Sequence, residues 1–157
     1  MSNATENLAR LGINLPAAAA PVGNYVGYTV DGDTVYISGQ LPLQDGAMAI
    51  TGKVGAEVTV EQGYQAGRIC AINLMSQLQE ACGGDLGRVT QVLKLGGFVN
   101  AAPEFCDAPK CINGASDLFV EVFGDAGKHA RFALGVASLP ANASVEVDGI
   151  FKITPQP

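Results

Sequence analysis

The sequence predicts an α+β domain, one sheet with helices stacked on one of its faces. Three observations lead there. Val35 and Ile37 alternate with Thr34, Tyr36 and Ser38, the period of two that a sheet with unlike faces produces. Between Thr59 and Cys82, small and apolar residues return at a period near 3.6. The segments run in the order β-β-α-β-α-β-β, strand pairs at the ends and helices between them. The 157 residues suit a single domain over 1–157, and 48% hydrophobic with 15% charged residues supports a packed core.

The first residues, to about 20, read as a short helical or irregular arm. It closes in "LPAAAAPVGNYV", where Pro16 and Pro21 interrupt any helix. "YVGYTVDGDTVYISGQLP" holds two strand-like runs around the hairpin signal Asp31-Gly32-Asp33. "LQDGAMAITGKVG" reads as a loop or short ribbon. A long helix then runs from about Thr59 to Cys82. Thr59 and Gln62 have the spacing of a capping box, and Gly67, Cys70, Ala71, Leu74, Leu78 and Ala81 share a face. Gly83-Gly84 ends it as a left-handed cap would. "GRVTQVLKLGGFVN" is strand-like. Ala115, Leu118, Phe119, Val122 and Phe123 form the apolar face of a second helix, stopped by Gly124. "ARFALGVASLP" and "SVEVDGIFKI" read as two closing strands joined by a proline-containing turn.

Composition excludes several function classes. Net charge is −6, with no run of Lys and Arg, so a surface that tracks a phosphate backbone is not expected. No apolar run approaches the roughly 20 residues of a spanning helix, and the N-terminus lacks the pattern of a secretory signal. The expected location is the cytoplasm, away from membranes. Four cysteines without a C-x-x-C pair, and a single histidine, assemble no zinc set, so no metal is expected. Cys70 and Cys82 read as core residues. Cys106 and Cys111 lie near a helix start, where a thiol pKa is sometimes lowered. No glycine-rich phosphate loop is present and no cofactor is expected.

The segment "HARFALGVASLP" raises a question of charge. Arg131 stands in an apolar stretch beside the only histidine, His129, and the next cation is Lys152. If Arg131 opens a strand, Ala133, Gly135 and Ala137 share its face. Phe132, Leu134 and Val136 then take the other face, which suits a core under helices. The small residues leave a groove beside the guanidinium. Glu146 follows fifteen residues later, opposite Val145 and Val147. One reading is a cross-strand Arg131–Glu146 ion pair in a hairpin, worth about 1 kcal/mol at most if exposed. The other is an arginine that grips a ligand carboxylate, its planar fork suited to two oxygens. Glu146 would then hold water or move a proton. His129 reads as a surface or turn residue.

These residues resemble the YjgF-like, or Rid, family of reactive intermediate deaminases, also named endoribonuclease L-PSP and translation inhibitor. "GNYVGY" and "YISGQLP" are similar to its N-terminal block, and "AGRICAINLMSQLQEACGGDLGRV" to its long helix. "ARFALGVASLPANASVEV" is similar to its C-terminal signature, including the interval from arginine to glutamate. The arm "LGINLP" and the segment "NGASDLFVEVFG" resemble a longer branch of the family. The resemblance implies a chorismate-mutase-like fold, a six-stranded sheet backed by two helices. It implies a homotrimer whose sheets form a central barrel, with the second sheet face small and apolar. Ligand clefts would lie between neighbours. It further implies hydrolysis of enamine or imine acids to 2-oxo acids and ammonia, without a cofactor. Arg131 would bind the carboxylate and Glu146 position or activate water, while Tyr25, Gly39 and Asn113 would line the cleft. A trimer that only binds a 2-oxo or amino acid is the alternative. The net charge and the lack of a histidine pair weigh against a ribonuclease.

Overall fold

The computed structural model describes residues 3–155. A short helix α1 (Ala4–Arg10), capped by the Asn3 side chain, opens the chain and leads into an irregular arm. Strands β1 (Tyr28–Asp31) and β2 (Thr34–Gln40) form the expected hairpin, with Gly32 at φ 62° in its turn. A two-stranded ribbon follows, β3 (Leu43–Gln44) and β4 (Ala47–Met48). Then come helix α2 (Val60–Ala81), strand β5 (Val89–Asn100), helix α3 (Ala108–Phe123) and strands β6 (Ala130–Val136) and β7 (Val145–Ile153).

The capping box is formed as the spacing predicts. The Gln62 N–H donates to the Thr59 hydroxyl at 3.1 Å, and the Thr59 N–H donates to the Gln62 side chain at 2.8 Å. Two of the helix's otherwise orphaned donors are thereby satisfied.

The main sheet has five strands in the order β1-β2-β7-β5-β6, and the ribbon stands apart from it. This corrects the six-stranded sheet that the resemblance implies. Every neighbouring pair is antiparallel except β5 and β6, which are parallel. A parallel pair needs a crossover, and α3 is that crossover. The closing strands β6 and β7 are therefore not a hairpin: β5 lies between them.

Helices α2 and α3 cover one face. Val35, Ile37, Leu95, Val99, Val145, Val147 and Phe151 are buried there against Leu74, Leu78, Ile112, Leu118 and Phe119. Helix α1 docks through buried Ala4 and Leu8, and the Asn7 amide donates to the Val122 carbonyl at 2.9 Å. Gln77 of α2 ties down the arm by donating to the Ala19 carbonyl at 2.9 Å.

The two large helices approach closely because their contact is made of glycine. A Cβ on Gly114 would fall on the Tyr64 carbonyl, and one on Gly67 would lie 2.7 Å from the Cys111 carbonyl. Backbone cannot yield as a side-chain tip can, so the crossing tolerates no methyl. Gly114→Ala is expected to destabilise the fold by roughly 1–3 kcal/mol, read as a lower urea midpoint at unchanged slope. An unchanged midpoint would contradict this packing.

Candidate functional site

Arg131 is the second residue of β6 and lies in register with Leu95 of β5, which is fully buried toward the helices. Its side chain therefore takes the helix side of the sheet. There Nη1 donates to the Ser116 hydroxyl at 3.0 Å, and Nη2 makes a long contact of 3.5 Å to the Pro109 carbonyl. Both acceptors belong to α3 and both are uncharged. Among the described residues the ion pairs are Arg68–Glu121, Lys110–Asp107, Lys128–Asp125 and Lys152–Asp33. None involves Arg131, so a partly buried guanidinium has no carboxylate partner among them. Asn113, exposed on α3, falls between Pro109 and Ser116 on the same helical stripe and so flanks the arginine.

His129 extends this group. Its Nδ1 is 2.6 Å from the Gly127 carbonyl, which can only accept, so Nδ1 carries the hydrogen. In the neutral ring Nε2 then accepts from Ser116 Oγ at 2.9 Å. The chain of donation runs from Arg131 to Ser116 to His129 to Gly127. Burial holds the imidazole below its ordinary pKa; the Gly127 carbonyl opposes this and Arg131 adds to it. His129 is thus a partnered, half-buried group and not the surface or turn residue expected. The available signal was the His-x-Arg spacing, because alternate residues of an extended chain share a side.

Glu146 occupies the other side. It lies in register with Phe98 on β5, while Val145 and Val147 on the same strand are fully buried under the helices. With β5 between them and the side chains on opposite faces, Arg131 and Glu146 form no ion pair within the chain. That corrects the cross-strand reading. The assignment of strand faces is corrected with it. Arg131 and Ala133 look toward the helices, and Leu134, half exposed, lies with Phe132 and Val136 on the open face. Nor is that face small and apolar: Glu146, Asp148 and Lys94 share it with Tyr36, Phe98 and Phe132.

Around Glu146 the backbone is tight. A Cβ at Gly39 would fall onto the Glu146 carboxylate, so Gly39 lets the acid lie against β2. Burial pushes the Glu146 carboxyl above its ordinary range, and Asp148 two residues on adds to this. Tyr25 lies in the exposed loop before β1. That loop is tied to the residue preceding Gly39: the Ser38 hydroxyl donates to the Val26 carbonyl at 2.6 Å and its N–H to Gly27 at 2.9 Å. The candidate residues thus fall into two groups, Arg131 with Asn113 on the helix side and Glu146 against Gly39, while Tyr25 lies in the loop that Ser38 holds.

The YjgF/chorismate mutase-like endoribonuclease family matches residues 5–151. The chain belongs to that family. It is 51% identical to Protein TCP17 of Trypanosoma cruzi, over 94% of this chain and 92% of that one. It is 30% identical to a 2-iminobutanoate/2-iminopropanoate deaminase of Dermatophagoides farinae, over 90% of this chain and 94% of the other. The crystal structure of Atu1372 from Agrobacterium tumefaciens, a protein of unknown function, superposes at a TM-score of 0.91. Identity is 46%, with 96% of this chain and 92% of that one covered.

The four cysteines of this YjgF-like chain are free, with Cys70 and Cys82 buried. Cys111, near the start of α3, is buried, and burial pushes its thiol up to about 11, the reverse of the lowering a helix start can give. Cys106 is exposed, and its thiol contacts the Glu104 carbonyl at 3.5 Å. Among the described residues, no cluster of three or more His, Cys, Asp or Glu is placed to hold a metal ion. None of their helices is long and apolar enough to cross a membrane.

The raised Glu146 carboxyl gives a test with a definite sign. The folded state binds this proton more tightly than the unfolded chain, so the group costs stability as pH rises through the carboxylate range. Glu146→Gln is expected to raise the thermal midpoint at pH 7. The gain should vanish below about pH 4, where the carboxyl is protonated in both states. A gain that persists at acid pH would point to altered packing and not to relief of a buried charge.

Proposed function

We propose that this protein hydrolyses enamine or imine acids of the 2-aminoacrylate type to 2-oxo acids and ammonia, in clefts between the subunits of a homotrimer. The observation that carries the reading is the guanidinium of Arg131, half-buried and held by neutral oxygens, with no carboxylate partner among the described residues. A cation kept in that state has its aim fixed and its charge unspent. A ligand carboxylate is the partner that its fork fits.

Such chemistry asks little of a protein beyond orientation. The carbon of an imine is already electrophilic, so holding the acid in place, moving protons and delivering water suffice. Glu146, with its raised carboxyl, has the character of a group that positions or activates that water. It lies on the opposite sheet face from Arg131, so the two groups are complementary halves of one site. A second copy would complete it, presenting Glu146, Gly39 and Tyr25 across from Arg131 and Asn113. The family membership and the deaminase relative at 30% identity support the reading. The endoribonuclease name of the family fits this chain less well, because a net charge of −6 repels a phosphate backbone. A trimer that binds 2-oxo or amino acids without turnover is the second reading, favoured by the separation of Arg131 from Glu146 within one chain.

The test generates 2-aminoacrylate from serine with a pyridoxal-phosphate dehydratase and follows pyruvate formation. Wild-type protein is expected to accelerate the step. Arg131→Ala should lower kcat/KM by at least about 100-fold, or ~3 kcal/mol, as expected for a lost charge-assisted pair. Arg131-dependent binding of pyruvate without acceleration would favour the binding module, and neither effect would remove the carboxylate site altogether.

A further inference from the structure

The proposed reaction needs a group that takes a proton from the substrate nitrogen and returns it as ammonia leaves. Glu146 is not placed for this on the Arg131 side of the chain. Ser116 is. Its hydroxyl is 3.0 Å from Nη1 of Arg131 and 2.9 Å from Nε2 of His129, so one oxygen touches both the anion anchor and a neutral imidazole. In a 2-amino or 2-imino acid the nitrogen is only two bonds from the carboxylate carbon. A substrate whose carboxylate lies on Arg131 therefore brings its nitrogen within hydrogen-bond reach of whatever else Arg131 holds, and here that is Ser116.

We propose that Ser116 and His129 are the nitrogen-proton relay of the Arg131 site, Ser116 touching the substrate nitrogen and His129 storing the proton. The inference rests on Arg131 being the carboxylate anchor. It applies to a substrate that carries an N–H. The enamine N–H passes its proton to Ser116 Oγ as the Ser116 proton moves to His129 Nε2, and the terminal carbon takes a proton from solvent, leaving the imine. Water adds to the C=N carbon, giving an aminoalcohol. His129 then returns its proton through Ser116 to the nitrogen. The C–N bond breaks, ammonia leaves with the electron pair, and the hydroxyl gives its proton to solvent as the keto group forms. Every proton borrowed is returned.

The surroundings suit a proton store. Nδ1–H is pinned on the Gly127 carbonyl at 2.6 Å, which fixes the tautomer and leaves Nε2 as the basic nitrogen. Of the ionisable groups nearby, Arg131 opposes protonation of His129. Lys128 and Asp125 engage each other at 3.2 Å. On α3, Asp117 and Glu121 are taken up by Tyr64 and Arg68 of α2, at 2.7 and 3.2 Å. A carboxylate arriving on Arg131 removes the opposing charge, so His129 gains basicity when substrate binds.

His129 is the only histidine of the chain, so its ring signals in an NMR spectrum are unambiguous. Pyruvate is the probe, its keto oxygen standing where the substrate nitrogen would. Titrating pyruvate into full-length protein is expected to move the His129 ring signals and to shift their pH midpoint upward. Both effects should be lost in Arg131→Ala. Ser116→Ala should still bind pyruvate, more weakly because Arg131 loses its 3.0 Å acceptor, and show a much smaller change at His129; its kcat with 2-aminoacrylate should fall about 100-fold, a larger effect than the rise in KM. Arg131-dependent binding that leaves the His129 signals and midpoint unmoved would overturn the relay and leave the anchor standing. If pyruvate does not bind to wild type, the anchor reading fails and the relay with it.

Discussion

The parallel pairing of β5 with β6 is the constraint from which the rest of this site follows. A parallel neighbour cannot be reached by a tight turn, so the chain crosses over through α3 before laying β6 down at the sheet edge. The crossover places α3 directly over Arg131 and supplies Ser116 and Pro109 as its acceptors. It also leaves β7 to fill the position on the other side of β5. The Arg131 and Glu146 strands are therefore separated by a full strand, roughly 10 Å across the sheet, and their side chains face opposite ways.

The electrostatics of the two groups are opposite in kind. Arg131 is a cation whose partners, the Ser116 hydroxyl and the Pro109 carbonyl, orient its charge without cancelling it. Glu146 lies against the Gly39 backbone near Phe98, where burial favours the protonated form. Under the proposed function the first would recognise an anion and the second would exchange a proton. Glycine makes both arrangements possible, at Gly39 by admitting the acid, and at Gly67 and Gly114 by letting α2 and α3 approach.

Most of the architecture could be read from local signals. The capping box at Thr59 and Gln62, the glycine stop after Cys82, the Asp31-Gly32-Asp33 turn and the apolar face of α3 are all fixed within a few residues, and each appears where its pattern places it. The pairing of the last two strands was not legible. A turn containing Pro140 between two β-patterns looks like a hairpin, but whether the strands touch depends on β5, some forty residues upstream. The faces of β6 failed for a related reason. Phe132 and Leu134 are bulky, which suggests a core, yet Gly97 and Ala133 sit on the helix side because Ile112 of α3 already fills the space there. Of the candidate site, the sequence marks Arg131 as a cation in an apolar stretch, while the contact of Gly39 with Glu146 depends on the pairing of β2 with β7. Ser116 was not legible, since a serine within a helical run carries no signal until the crossover brings it to the arginine.

The proposed site joins Arg131 of one copy with Glu146 of another. Mixing inactive subunits tests it most directly. Arg131→Ala and Glu146→Gln proteins are each expected to be nearly inactive in the 2-aminoacrylate assay. Unfolded together and refolded as a mixture, they should regain a substantial fraction of wild-type pyruvate formation, because some clefts then combine an intact Arg131 from one copy with an intact Glu146 from the other. A mixture no more active than its components, while wild type treated in the same way recovers full activity, would contradict the shared site.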